Sequence, residues 1–379
     1  VLENKRKGLE YILQQHLRLK IILQILFLLT IGLNVSAGEL PSIYRVAFDI
    51  GAQFYDYQNY QGIPYFHGGL DLCAPAGTEV FMPIAGRVTV NDYQIVALRN
   101  PHQFKYLRRP YLPNEKSNTR YLEVSIVDEK GNNWMFRHIA PSSVPAGMFS
   151  AASSGAIVPA GSKIGEVGRW IQPVLPEKRM YNHIHLEILS PDGTFLNPTQ
   201  FVSTVKDYYP PVIHNVYAAR HGSNEATYLD NNNRTLSGNI DLIIGVNDRM
   251  NRTAWQQSVY SAAWSLDRMN SVSSTTNCLP EREVFRFDKL PFVGERVQLS
   301  TTIYRDSIRA DSHAVMADGA NGPRFFLVNL TSGTSSEGYS PNNHLDTTQL
   351  PNGRYRLNIS VRDSAGNLRQ KSVEFQIKN

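Results

Sequence analysis

The chain has 379 residues, 42% of them hydrophobic, and a formal net charge of +5; that length exceeds one ordinary domain, and that apolar share is enough for proper cores in two. Residues 1–37 hold five basic and two acidic side chains, so only about +2 remains beyond them. With no dense Lys/Arg stripe and no zinc-finger cysteine set, nucleic-acid binding is set aside. In chain order, Lys5, Arg6, Lys7, Arg18 and Lys20 precede an uncharged apolar run from Ile21 to Leu33, followed by Val35-Ser36-Ala37. This reads as an export signal over 1–37 with cleavage after Ala37, because a membrane span needs about 20 apolar residues. An uncleaved membrane anchor stays open as the alternative. No cysteine follows the run, which argues against a lipid-anchored form. Cys73 and Cys278 stand far apart and form no disulfide framework.

The next informative fragment is His67-Gly68-Gly69-Leu70-Asp71, with Tyr60 and Tyr65 just upstream. Gly68 and Gly69 are poor helix formers, so the fragment reads as a turn entering a strand on which His67 and Asp71 converge. Between Val90 and Leu122 comes a long stretch with Arg99, His102, Lys105, Arg108 and Arg109. It is either a solvated excursion or a loop that shapes a groove. Leu122 to Val127 alternates, Glu129-Lys130-Gly131-Asn132 turns, and Trp134 to Ile139 returns, a hairpin that presents His138 at a strand end. In Asn182-His183-Ile184-His185-Leu186-Glu187 a strand puts His183, His185 and Glu187 on one face, with Ile184 and Leu186 towards a core. A hydrolytic zinc site needs three protein ligands and an open fourth position. His67, Asp71 and one of the paired histidines supply them, while the other histidine faces substrate.

At these residues the chain resembles the LytM/lysostaphin type of zinc peptidase, peptidase family M23, which cuts peptides of bacterial peptidoglycan. The likeness runs over roughly 44–200 and includes Ala74-Pro75-Ala76-Gly77-Thr78-Glu79-Val80, Pro83-Ile84-Ala85-Gly86-Arg87-Val88 and Val158-Pro159-Ala160-Gly161-Ser162-Lys163-Ile164-Gly165-Glu166-Val167-Gly168. It implies one zinc ion held by His67, Asp71 and His185, with His183 and His138 as catalytic histidines. Tyr60 and Tyr65 fall where the family has an aromatic, substrate-binding groove wall. Glu187 is expected to orient a ligand from behind. The stretch before Leu122 and the segment Arg169 to Tyr181 depart from the family pattern, and Trp170 and Tyr181 there either line the groove or pack beneath it.

Lys206-Asp207-Tyr208-Tyr209-Pro210-Pro211 marks the expected boundary between a peptidase domain, 38–205, and a second domain, 206–379. Beyond it Val212 to Ala218, Ile240 to Val246, Ser258 to Leu266, Val284 to Phe287, Tyr355 to Val361 and Ser372 to Ile377 read as short strands. The run from Leu350 to Asn367 resembles the last hairpin of immunoglobulin-like (Ig-like) sandwiches, and insertions are expected near 268–283 and 305–345. The fold expected is mainly β: an antiparallel sheet domain with a groove, then a β-sandwich, and little helix. The function expected is an exported zinc endopeptidase of the cell envelope, periplasmic or at the cell surface, whose partners are peptidoglycan peptides. The sandwich would dock it to a regulatory protein or to the wall, or cover the groove. The alternative is a catalytically silent scaffold or activator of other wall hydrolases. A cupin-type metalloenzyme also uses His-x-His, but it would want a glutamate several residues later and a distant third histidine.

Overall fold

The computed structural model describes residues 40–60, 63–97, 104–111, 120–170, 173–174, 179–230, 234–250, 256–270, 274–291, 293–316, 325–334 and 336–379. The expected export signal lies outside the described residues, as do 98–103 and 112–119 of the basic stretch. Among the described residues no helix is long and apolar enough to cross a membrane. Residues 42–379 form one compact unit and are mainly β.

The region before residue 200 is built of β1 (Asp49–Ala52), β2 (Tyr57–Tyr60), β3 (Ile63–Phe66), β4 (Leu70–Cys73), β5 (Glu79–Phe81), β6 (Gly86–Ala97), β7 (Phe104–Pro110), β8 (Leu122–Val127) and β9 (Asn133–Ile139). Helix α1 (Ala146–Ser154) follows, then β10 (Ile157–Val158), β11 (Lys163–Glu166), β12 (Pro173–Val174), β13 (Arg179–Met180), β14 (His183–Leu189) and β15 (Phe195–Leu196). The main sheet runs β1-β4-β14-β9-β8-β6-β10, with each neighbouring pair antiparallel. Within the described part of the basic stretch, β7 pairs antiparallel with β6.

Alternation gives the central strands two different faces. Leu70, Leu72, Phe136, Ile184, Leu186 and Ile188 are fully buried on one of them and form an apolar core. Asp71, Arg137, His183 and Glu187 are buried on the other. A sheet with polar groups hidden on one face is stable only if those groups satisfy one another, and that condition shapes the site.

Beyond residue 211 two sheets face each other. The first collects Val212–Arg220, Asn239–Asn247, Phe326–Asn329 and shorter strands, and the second collects Ser261–Met269, Thr275–Arg286, Gly353–Arg362 and Leu368–Ile377. Leu242, Ile244 and Val328 of the first meet Trp264, Leu357 and Phe375 of the second in one core, so the two sheets form a sandwich. The stretches expected to be insertions belong to this framework. Of residues 268–283, Arg268 and Met269 pair with Thr276 and Thr275 at the end of the Ser261–Met269 and Thr275–Arg286 ladder, and Phe326–Asn329 pairs with Asn239–Asn247 inside its sheet. Phe326-Leu327-Val328-Asn329 is buried throughout, so it has no alternation for a sequence reading to detect. Helix α2 (Val293–Ile303) lies along β3, and Lys289–Leu290 pairs with β15, joining the main sheet of the N-terminal region. Tyr55, Tyr57 and Phe66 belong to the same core as the sandwich.

Candidate metal centre

His67 follows β3 and is braced at three points. Its amide donates to the Asp56 carbonyl at 2.8 Å, its Nδ1 donates to the Gln53 carbonyl at 2.9 Å, and the Asp56 carboxylate accepts the amides of Gln53 and Ser258. With Nδ1 carrying the proton, the Nε2 lone pair points inward. Asp71 on β4 lies opposite His185 on β14, so their side chains share a face. His185 Nε2 faces Glu187 Oε1 at 3.2 Å, which places the proton there and leaves Nδ1 as the inward atom.

The three inward atoms form a tight triangle. His67 Nε2 lies 3.0 Å from His185 Nδ1 and 3.1 Å from Asp71 Oδ1, and the last two are 2.8 Å apart. Tetrahedral bonds of about 2.0–2.1 Å hold ligand atoms about 3.3 Å apart, so the triangle suits one small ion. Three electron pairs converging in a buried place also require a positive charge among them. Without a metal that charge is a proton. Burial disfavours it on His185, but the Asp71 and Glu187 carboxylates outweigh burial and raise the imidazole pKa. Burial likewise pushes the Asp71 carboxyl up, and His67, His183 and His185 override it, holding it well below the usual carboxylate range. Two imidazoles and one carboxylate oxygen are a zinc donor set rather than a calcium or magnesium one.

The surroundings fix each ligand. Tyr181 donates its hydroxyl to Asp71 Oδ2 at 2.8 Å, which leaves Oδ1 as the inward oxygen. Gly69 carries the His185 ring, since a Cβ there would sit 2.7 Å from His185 Nε2. Behind His185 runs a buried chain of charges: Glu187 meets Arg137 at 2.9 Å, and Arg137 meets Glu123 at 2.9 Å, which also pairs with Arg108. These alternating charges are how the polar face satisfies itself.

Two further histidines stand beside the triangle. His183 donates Nδ1–H to the Tyr181 carbonyl at 2.7 Å, and its Nε2 is 3.6 Å from Asp71 Oδ1, beyond hydrogen-bond length. His138 has φ +70°, where an L side chain is rarely found, and the β8–β9 register shifts between Leu122 and Val124. The extra residue is a bulge, which turns His138 off the face that alternation assigns it and lets Ile139 enter the core. The rings of His138 and His183 are 4.6 Å apart between centroids, and Trp170 lies within 5.0 Å of both. Burial lowers the pKa of each: His138 is held well down, reinforced by His183 and His185, and His183 less far because Asp71 opposes the shift.

The structure thus brings together His67, Asp71, His185, His183, His138 and Glu187. Tyr65 donates its hydroxyl to Gln58 across the β2–β3 hairpin at 2.6 Å. The Tyr60 side chain lies outside the described residues. Tyr181, left between lining and packing by the sequence, is a direct partner of Asp71. Arg137 and Glu123 were missed, and the only sequence signal for them is a charged residue at alternate positions of otherwise apolar strands.

No family model and no curated protein matches this chain. Among solved structures, one from Pseudomonas aeruginosa assigned as a peptidase M23 is similar, with 20% identity over 50% of this chain and 63% of that one, and a TM-score of 0.23. The chain therefore spans less than two thirds of that structure. So limited a superposition adds nothing to the site geometry above.

Proposed function

We propose that this chain is a zinc-dependent endopeptidase that cleaves peptide cross-links or bridges of bacterial peptidoglycan in the cell envelope. The carrying observation is the triangle of His67 Nε2, Asp71 Oδ1 and His185 Nδ1, with edges of 2.8–3.1 Å and the tautomer of each imidazole set by an outer partner. The substrate class comes from the ordered motifs between 44 and 200 that resemble the M23 peptidases. Zinc held by these three residues would supply a Lewis acid that acidifies water and polarises a carbonyl.

The protein's own groups carry the remaining steps. His183 keeps its proton on Nδ1, fixed to the Tyr181 carbonyl, so Nε2 is ready to take a proton from an attacking water. His138, kept neutral, offers a ring N–H to oxygen as negative charge develops there, and the proton that His183 took from water is the one that passes to the leaving amine. Trp170 stacks on Tyr121 and lies edge-on against the His138 ring. The silent-scaffold alternative is disfavoured because such degenerate relatives lack a ligand, and here every ligand position is filled.

The test is incubation of the purified chain with peptidoglycan, with and without chelator, identifying the released fragments. His185→Ala is expected to lose both zinc and turnover, and His183→Ala to lose turnover by about 10²-fold or more while keeping zinc. Full zinc occupancy without any cleavage would favour the scaffold instead.

A further inference from the structure

A second group of side chains that could hold a metal ion lies beside the sandwich, apart from the six imidazole and carboxylate groups above. Asp207 in the connecting segment, Asp248 at the end of Asn239–Asn247 and Asp363 after Gly353–Arg362 bring carboxylate oxygens within 4.8 Å of one another, and all three are buried. Asp363 spends its oxygens on the turn it closes, accepting from the Asn367 amide and side chain. Asp207 accepts from the Tyr209 amide. Asp248 is different. It is 1% exposed, and among the described residues neither of its oxygens has a hydrogen-bond partner. The Arg249 backbone amide lies on the side that favours its charge, but burial and the neighbouring carboxylates outweigh it.

An ionised carboxylate in that position is costly, because two more carboxylates face it and no Lys or Arg forms an ion pair with Asp248 or Asp363 among the described residues. Burial, followed by repulsion from Asp363 and Asp207, pushes the Asp248 carboxyl up to about 8. The excess is of oxygen acceptors rather than of donors. Gln53 and Gln257 add to it: each has a buried amide oxygen without a partner, Gln257 pairs with Asp248 through the backbone, and the Gln53 amide nitrogen reaches Ser364 beside Asp363. Oxygen-only donors, several of them anionic, drawn from separate loops and up to 4.8 Å apart, match a hard cation with bonds of about 2.3–2.6 Å. They do not match zinc, whose ligand atoms crowd closer and include nitrogen or sulfur.

We infer that Asp207, Asp248 and Asp363 form a calcium site that pins the connecting segment to two loops of the sandwich, beside the Gln53 loop that holds His67. Three carboxylates leave further positions for carbonyl oxygens and water in a shell of about six to eight. Its role is structural, because it ties together three segments remote in sequence and touches none of the groups that would meet substrate.

The experiment is calorimetric titration of the full, zinc-loaded chain with calcium chloride, with thermal unfolding in parallel. One equivalent of calcium is expected to bind, and a roughly hundredfold excess over Kd to raise the unfolding midpoint by about 5 °C. Asp248→Asn, which keeps shape and removes charge, is expected to abolish both signals and leave the zinc content unchanged. Asp207→Asn guards against a variant-specific folding defect and is expected to weaken calcium binding in the same way. His185→Ala is expected to lose zinc and keep calcium, which separates this site from the first. Absence of calcium binding in the unaltered chain overturns the inference, as does undiminished binding in Asp248→Asn. So does Asp248→Asn alone matching the stabilisation while calcium has no effect, since the cluster would then be a set of protonated acids.

Discussion

Tyr181 shows how a single hydroxyl can set a ligand's behaviour. Its hydrogen bond to Asp71 Oδ2 fixes the carboxylate and keeps Oδ1 turned to the imidazoles. Tyr181→Phe is expected to weaken zinc binding by about tenfold and to cost about 1–3 kcal/mol of stability, the desolvation penalty of a buried acceptor left alone. Titration in a metal buffer and urea unfolding check the two separately, and unchanged affinity would assign Tyr181 to packing. The triad His67, Asp71 and His185 that could hold a metal ion was legible in the sequence, because coordination demands particular residue types and a strand displays them at every second position. Tyr181, Arg137 and Glu123 were not, since each acts through a neighbour supplied by strand register. His138 was legible as a candidate, but its orientation was not, because the bulge that turns it arises from the mismatch between β8 and β9.

At the scale of elements, the β8–β9 hairpin delivers His138 and is closed by Asp128. That carboxylate accepts from the amides of Lys130 and Asn132, from the Asn132 side chain and from Trp134 Nε1. Burial works against its ionisation, but these donors together hold the carboxyl below its ordinary value. A depressed carboxyl contributes stability that is present above the unfolded-state pKa and lost as pH falls through the folded one. Asp128→Ala is therefore expected to cost about 2 kcal/mol near neutral pH, with the gap to the unaltered protein narrowing in acid, as read from urea midpoints across pH. A gap that does not change with pH would mean the carboxylate is not the source. The two strands and the turn of this hairpin were legible from alternation and a Gly-Asn turn, but its bulge was not. Phe326–Asn329 and the two-residue strands Tyr304–Arg305 and Gly333–Thr334 were not legible, because very short strands and uniformly buried runs carry neither period.

At the scale of the molecule, the sandwich helps to build the wall that carries His67. Tyr55, Tyr57 and Phe66 are each at most 2% exposed, and their covering comes from beyond the expected boundary: Phe287 packs on Tyr55 and Phe66, and Tyr304 on Tyr57 and Phe66. Burying three such rings is worth about 5–9 kcal/mol, as much as the whole stability of many domains. A chain ending at Lys206 is accordingly expected to aggregate or to fold without binding zinc, as checked by solubility, circular dichroism and metal content; a soluble, zinc-loaded fragment would refute this. The Tyr-Tyr-Pro-Pro segment and the change of pattern around it suggest a division at that point, whereas residues 42–379 form one compact unit. The shared core was not legible, because nothing local in Tyr57 or Phe66 says which distant rings will cover them. Tyr57 donates its hydroxyl to Asp306, 249 positions further on, and a ribosome adding about 5–20 residues per second needs on the order of 10–50 s to make that stretch. Throughout that interval the hairpin before His67 lacks the rings that cover it, so under the proposed function hydrolytic competence would wait for the sandwich to be made.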